Sequence, residues 1–158
     1  CGDVIVPSAK ERTIKTQLDD FDAPEIMTYS LESTIAEKLD AILQRFELTG
    51  RMKDFYDIYY LSQTFDFDGL KLQTAIAETI QNRGTDYNAD SFKRITELVV
   101  DENMQIRWRH FLRSLRNPDI PFSQVMDGIT VFIEPVWEAF LEEEEFQKQW
   151  SAEMREWS

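Results

Sequence analysis

Residues 29–61, YSLESTIAEKLDAILQRFELTGRMKDFYDIYYL, decide how this chain folds. They read as two helices joined by a short turn. Ser30 suits an N-cap, its hydroxyl able to accept from a backbone N–H that the first turn leaves without a partner. Leu31, Ile35, Leu39, Ile42 and Phe46 follow at steps of four, four, three and four, which lays one apolar stripe along a helix. Gly50 is expected to close that helix, since glycine tolerates the left-handed conformation at a helix end. A second helix is expected to start near Arg51, with Met52, Phe55, Tyr59 and Ser62 on its inner side.

The charges of this pair sit in unusual places. On a wheel of roughly 100° per residue, Lys38 lies only about 20° from Leu31 and beside Ile42, half inside the apolar face. Asp54 and Asp57 are three residues apart, so their carboxylates share one face of the second helix, flanked by Ile58 and Leu61. Lys53 stands four residues before Asp57. The residues alone admit two readings. One is a grip on phosphates and a metal ion by amines and carboxylates at a core edge. The other is a snorkelling Lys38 and a Lys53–Asp57 surface pair worth a few tenths of a kcal/mol.

The order of these residues resembles the back half of the AbiEii/AbiGii-type nucleotidyltransferase toxins, the toxin components of type IV toxin–antitoxin and phage-defence (abortive infection) systems. YSLESTIAEKLDAI matches that family's A-E-K helix, and RMKDFYDIYYL matches its R-x-K-D-x-x-D helix, sixteen residues separating Lys38 from Asp54. Weaker likeness continues through FDFDGLKLQTAIAETIQNRGT to the last helix. The resemblance implies nucleotide binding by Lys38, phosphate contacts by Arg51 and Lys53, and catalytic or phosphate-orienting roles for Asp54 and Asp57. Asp54 would orient the lysine, an incoming hydroxyl or a water on the metal. It further implies an NTP substrate, Mg²⁺, an RNA acceptor such as tRNA, and a cognate antitoxin.

Composition narrows the alternatives. The 158 residues suffice for one domain with a reasonable core, and 42% hydrophobic content with 13% aromatic excludes general disorder. No apolar run approaches the roughly 20 residues of a membrane span, so no membrane partner and a cytoplasmic location are expected. The single cysteine, Cys1, makes no internal disulfide, and zinc-type CxxC spacing is absent. The one histidine, His110, reads as a helix-surface residue and argues against histidine-based metal sites or triads. A net charge of −13 argues against a generic nucleic-acid binder and calls for a basic partner or a local basic groove.

The front of the chain reads as the end of a strand, CGDVIVP, entering a turn at Pro7. Asp3 matches the aspartate that trails the metal-binding strand of the family, which places the expected metal ligand before Cys1. The family's Gly-Ser/Thr turn with D-x-D has no counterpart here. Asp20–Asp22 and Asp66–Asp68 are D-x-D strings without that turn, and Asp66 and Asp68 read as turn and N-cap residues. The segments 13–16 and 26–29 have strand propensity and, with 3–6, would form the remnant edge of a sheet. The listless polarity between them gives no further motif.

Beyond Leu61 the chain is expected to be helical to its end. Asp68 caps a helix with Leu72, Ile76 and Ile80 inward, stopped at Asn82-Arg83-Gly84; Asp90 caps another with Phe92, Ile95 and Val99 inward. A third, from about Asp101 to Arg116, buries Met104, Trp108, Phe111, Leu112 and Leu115. Its outer face carries Arg109, Arg113 and Arg116, either a solvated face paired with acids or a phosphate contact. The last helix starts at Ser123, with a kink expected near Val131 from Pro135. Glu142 to Glu145 read as a solvated run, and Trp150 and Trp157 as tail anchors or a partner surface.

The expected fold is therefore α+β and mostly helical: a strand remnant of a nucleotidyltransferase sheet (1–29), a helical hairpin with the Lys38 and KDxxD motifs (30–64), and a C-terminal helical bundle (65–158). The expected function is that of the C-terminal part of a nucleotidyltransferase-like toxin, inactive as this stretch alone. The alternative is a non-catalytic helical interaction domain that binds an antitoxin or itself, with a nucleotide sensor as a third reading.

Overall fold

The computed structural model describes residues 30–44, 51–115 and 119–158. The expected strands within 1–29, the end of the first helix at Phe46 and Gly50, and Arg116 lie outside the described residues. Local chemistry starts the first helix, α1 (Leu31–Leu43): the Ser30 hydroxyl accepts from the Ser33 N–H at 3.0 Å. Leu31, Ile35, Leu39 and Ile42 are all buried, as their spacing requires. The buried arc is wider than that stripe, because Glu32, Ala36 and Asp40 are buried beside it.

The second helix, α2 (Met52–Thr64), buries Met52, Phe55, Ile58, Leu61 and Ser62. Its inner face is thus centred on Phe55, Ile58 and Leu61, while Tyr59 is half-buried at the edge. There its ring lies against Gly128, where an added Cβ would come within 2.7 Å of the tyrosine carbons. After β1 (Phe67–Asp68), the Asp68 carboxylate caps α3 (Gly69–Arg83), accepting from the N–H groups of Leu70 and Lys71. Gly84, at φ 63°, closes α3 in the left-handed region that glycine enters without cost.

Next come α4 (Ser91–Thr96), a 3₁₀ turn (Glu97–Val100), α5 (Glu102–Leu112) and α6 (Phe122–Leu141). Asp90 occupies the N-cap position of α4 but makes no capping bond with its side chain; Asn88 Oδ1 instead accepts from the Asp90 N–H. Val99 falls in the 3₁₀ turn and is half-buried. The α6 helix runs through Pro135 as one element. The carbonyl that a proline leaves without its donor is that of Val131, and Val131 lies on the exposed side, 50% accessible, where water can serve it.

The chain is not helical to its end. Strands β2 (Gln149–Ser151) and β3 (Glu156–Trp157) form a hairpin that joins β1 in an antiparallel sheet of order β1-β2-β3. Trp150 stands opposite both Phe67 and Trp157 in register. A solvated helix would have left the two tryptophans in water. The hairpin instead buries Trp150 to 1% exposure and lets its indole N–H donate to the Ser62 carbonyl at 2.7 Å. Trp157 donates to the Phe132 carbonyl at 2.9 Å and stacks on the Phe132 ring. Asp66 accepts from the Ala152 N–H at 2.8 Å, so this turn aspartate also holds the tail. At Gly69 an added Cβ would lie 2.6 Å from the Lys148 carbonyl oxygen, and only glycine admits the tail so close.

One hydrophobic cluster runs from Leu31 to Trp150 and takes in residues of every α-helix described. Within it α1 packs on α3 and α2, and α2 packs on α6. The Phe55 ring meets Phe122 edge-on at 5.6 Å, and Phe132 meets Trp150 at 4.9 Å. Trp150→Ala removes both the largest tail side chain and its hydrogen bond to α2. It should destabilise the protein by about 3–5 kcal/mol, read as a lower urea midpoint, whereas the half-exposed Trp157 should cost less on truncation.

Candidate functional site

The apolar seam between α1 and α2 brings the charged residues together. Lys38 leaves α1 beside the Leu31–Ile42 stripe, 20% exposed, and its Nζ lies 2.9 Å from Asp57 Oδ2 and 3.5 Å from Asp54 Oδ1. Lys53 Nζ reaches the same Asp57 oxygen at 2.8 Å from one helical turn away. Arg51 stands 3.8 Å from the other oxygen of Asp54. All five residues singled out by the motifs therefore occupy one constellation. Among these five residues three cations face two carboxylates (3 − 2 = +1), on a chain that carries −13.

The two aspartates have different surroundings. Asp57 is 1% exposed, which rules out the solvated surface pair that its spacing from Lys53 suggests. One of its oxygens is shared by two ammonium groups, and such a carboxylate is stable in the core only while its partners remain. Asp54 is 18% exposed and held more loosely, its contacts being 3.5 and 3.8 Å. Burial raises its pKa above the ordinary 3.8; Lys38 and Arg51 pull it down, and neighbouring Asp57 pushes it up.

Two further buried carboxylates brace the lysine helix, and the single-stripe reading passes over them. Asp40 accepts from the Thr85 hydroxyl at 2.5 Å and from the Gln44 amide, tying α1 to the loop after α3. Glu32 accepts from the Asp68 N–H at 3.2 Å. Their spacing, Glu32-Ala36-Asp40, is the signal: it marks a second row beside the apolar stripe. His110 is exposed, as a surface residue should be.

Among the described residues no group of three or more His, Cys, Asp or Glu side chains is arranged to hold a metal ion. Asp54 and Asp57 face ammonium groups instead, so these residues suit an anion better than a divalent cation. Also among the described residues, no helix is long and apolar enough to cross a membrane.

A mostly helical α+β chain thus carries a braced lysine–aspartate cluster between α1 and α2. The chain belongs to the AbiEii family, nucleotidyl transferase toxins of type IV toxin–antitoxin systems, whose family model matches residues 1–143. Comparison with curated proteins and with solved structures gave no match. Membership carries the general requirements of nucleotidyl transfer, an NTP and a divalent metal, and the general expectation of a cognate antitoxin.

The unequal aspartates predict unequal variants. Asp57→Ala removes the buried carboxylate that Lys38 and Lys53 both approach and should lower stability, by less than the roughly 3–5 kcal/mol of a fully buried broken pair. For Asp54 the sign of the pH effect is fixed by its raised pKa. The folded state holds the proton more tightly than the unfolded state, so the contribution of Asp54 is fully present below the unfolded pKa. It is lost as pH rises through the folded value. Urea midpoints measured from about pH 3 to about pH 7 should therefore show the wild type losing stability relative to Asp54→Asn as pH rises.

Proposed function

We propose that this chain forms the lysine-bearing helical side of a nucleotidyltransferase site that moves a nucleotidyl group from an NTP to an RNA acceptor such as tRNA. The observation that carries this reading is the Lys38 ammonium held between a buried and a half-exposed aspartate, 2.9 and 3.5 Å away. In the transfer, the acceptor hydroxyl oxygen bonds to the α-phosphorus as the bond to the pyrophosphate oxygen breaks. Charge builds on the leaving pyrophosphate, and a prepositioned ammonium stabilises it without reorganisation.

Asp57 is in this reading a positioning residue. It is too buried to touch substrate, and it fixes Lys38 and Lys53 by their nitrogens. Asp54 is the carboxylate able to change partners: an arriving triphosphate takes its place on Lys38, while the shorter bond to Asp57 persists. Freed from that pairing, and with its pKa raised by burial, Asp54 suits an incoming hydroxyl. Arg51 and Lys53 add positive charge beside the phosphates. Among the described residues no group of three or more His, Cys, Asp or Glu could hold the divalent metal, which when bound would neutralise triphosphate charge. The alternative of a non-catalytic interaction domain loses one support, since Trp150 and Trp157 are engaged inside the protein.

The test uses the gene product expressed from its whole native reading frame. Lys38→Met and Asp54→Asn should each lower nucleotide transfer to RNA by about 10²-fold or more and relieve toxicity. The circular dichroism of both should match the wild type, while Lys38→Met, which leaves buried Asp57 with fewer ammonium partners, should unfold at a lower urea midpoint than Asp54→Asn. Transfer at the wild-type rate by either variant would remove that residue from the mechanism.

A further inference from the structure

From Gln105 to Asn117 the sequence contains Arg107, Arg109, His110, Arg113 and Arg116 and no aspartate or glutamate. In a chain with 30 acidic residues against 17 basic ones, such a segment stands out. Its residues 105–112 are the body and C-terminal end of α5, and Arg113 is the C-cap. Arg107, Arg109, His110 and Arg113 are all exposed, while Met104, Trp108 and Leu112 face the core. Among the described residues, none of these three arginines takes part in an ion pair, although acids dominate the rest of the surface. Among the described residues, the pairing with neighbouring acids expected of this face is not found at Arg109 or Arg113. Complementing the helix dipole accounts for cations in the last turn; it accounts for neither Arg107 in mid-helix nor the absence of acids.

The position of α5 matters as much as its charge. Phe111 packs on Tyr56 of α2 at 5.8 Å, and Tyr56 lies between Lys53 and Asp57 in the chain. Arg107 stands one turn before Phe111 on that flank of α5, so the basic face continues from the helix that carries the lysine–aspartate cluster. On the other flank Arg109 borders a cleft that also contains the Asp119 side chain. A carboxylate there opposes an anion, which places any phosphate contact on the outer arc of α5.

We infer that the exposed arginine face of α5 binds the phosphodiester backbone of the RNA acceptor and guides it towards the Lys38 cluster. This rests on the nucleotidyl-transfer reading of that cluster. Guanidinium groups suit the role because they stay charged and offer forked donors to phosphate oxygens. Local positive charge also resolves the conflict between a net charge of −13 and a polyanionic acceptor, since screening confines the repulsion of distant acids to about 8–10 Å at ordinary salt.

The experiment compares the full gene product with its triple variant Arg107→Gln, Arg109→Gln, Arg113→Gln. Anisotropy of a short fluorescein-labelled single-stranded RNA is measured over a salt series, and binding of each of the four common NTPs is measured by calorimetry. The expected result is RNA affinity at least about tenfold weaker, with the slope of log K against log salt reduced by about two. NTP binding and the circular dichroism spectrum should stay those of the wild type. Unchanged RNA affinity and slope in the triple variant overturn the inference, as does a wild type that binds no RNA. Loss of self-association with RNA binding unchanged overturns it in favour of an acidic protein partner on this face. Lys38→Met separates the two readings: if it leaves NTP binding intact while the arginines still govern RNA binding, the cluster reading fails, and with it the guidance towards Lys38, while the RNA-binding face itself stands.

Discussion

The ion pair between Lys38 and Asp57 is the constraint on which the rest of the arrangement depends. A carboxylate at 1% exposure is costly to bury alone, and here two ammonium groups from two different helices compensate it. Neither helix can shift along the other without separating those charges. The apolar seam sets the distance: Leu31, Ile35, Leu39 and Ile42 on one side, Phe55, Ile58 and Leu61 on the other, each worth about 1.5–3 kcal/mol when buried. Several other elements brace these two helices. Asp40 and Thr85 hold α1 to the end of α3, Phe122 of α6 backs Phe55 of α2, and Trp150 of the tail ties down the last turn of α2 through Ser62.

Much of this was legible in the order of residues, and for local reasons. Caps announce themselves within four residues, which is why Ser30 and Asp68 cap as expected, although Asp90 does not. The stripe of α1 likewise follows from periodicity, whereas the meeting of Lys38 with Asp54 and Asp57 is one of two readings the residues leave open; the family resemblance seen in the two motifs holds over residues 1–143. The tail was not legible. Its strands have two or three residues each and pair with Phe67–Asp68 some eighty positions earlier, a contact with no local signal. The polar stretch around Trp150 and Trp157 states only that two large rings need cover. Burial of Asp57 was hidden for a related reason: its spacing from Lys53 is that of a surface pair, and only the arrival of Lys38 from another helix makes the core position tolerable.

Charge gives the molecule a functional polarity. The constellation at the α1–α2 seam is net positive, and the arginines of α5 extend that sign along a neighbouring helix. The C-terminal acids Glu142 to Glu145 are all exposed. In a chain of −13 these positive groups lie on helices in direct contact through Tyr56 and Phe111. The aspartates at the seam act on this polarity in different ways, Asp57 by holding the lysines in place and Asp54 by being the weaker and more accessible competitor for Lys38.

The most direct measurement is of the Lys38 ammonium itself. Nitrogen-15 NMR of the lysine side chains, assigned with Lys38→Arg, reports the Nζ resonance of Lys38 as an NTP is titrated into the whole gene product. An exchange of Asp54 for triphosphate predicts a saturable shift of the Lys38 signal, with a perturbed Asp54 carboxylate carbon and an unmoved Asp57. A Lys38 signal that stays constant while NTP binds elsewhere would contradict the account at its centre.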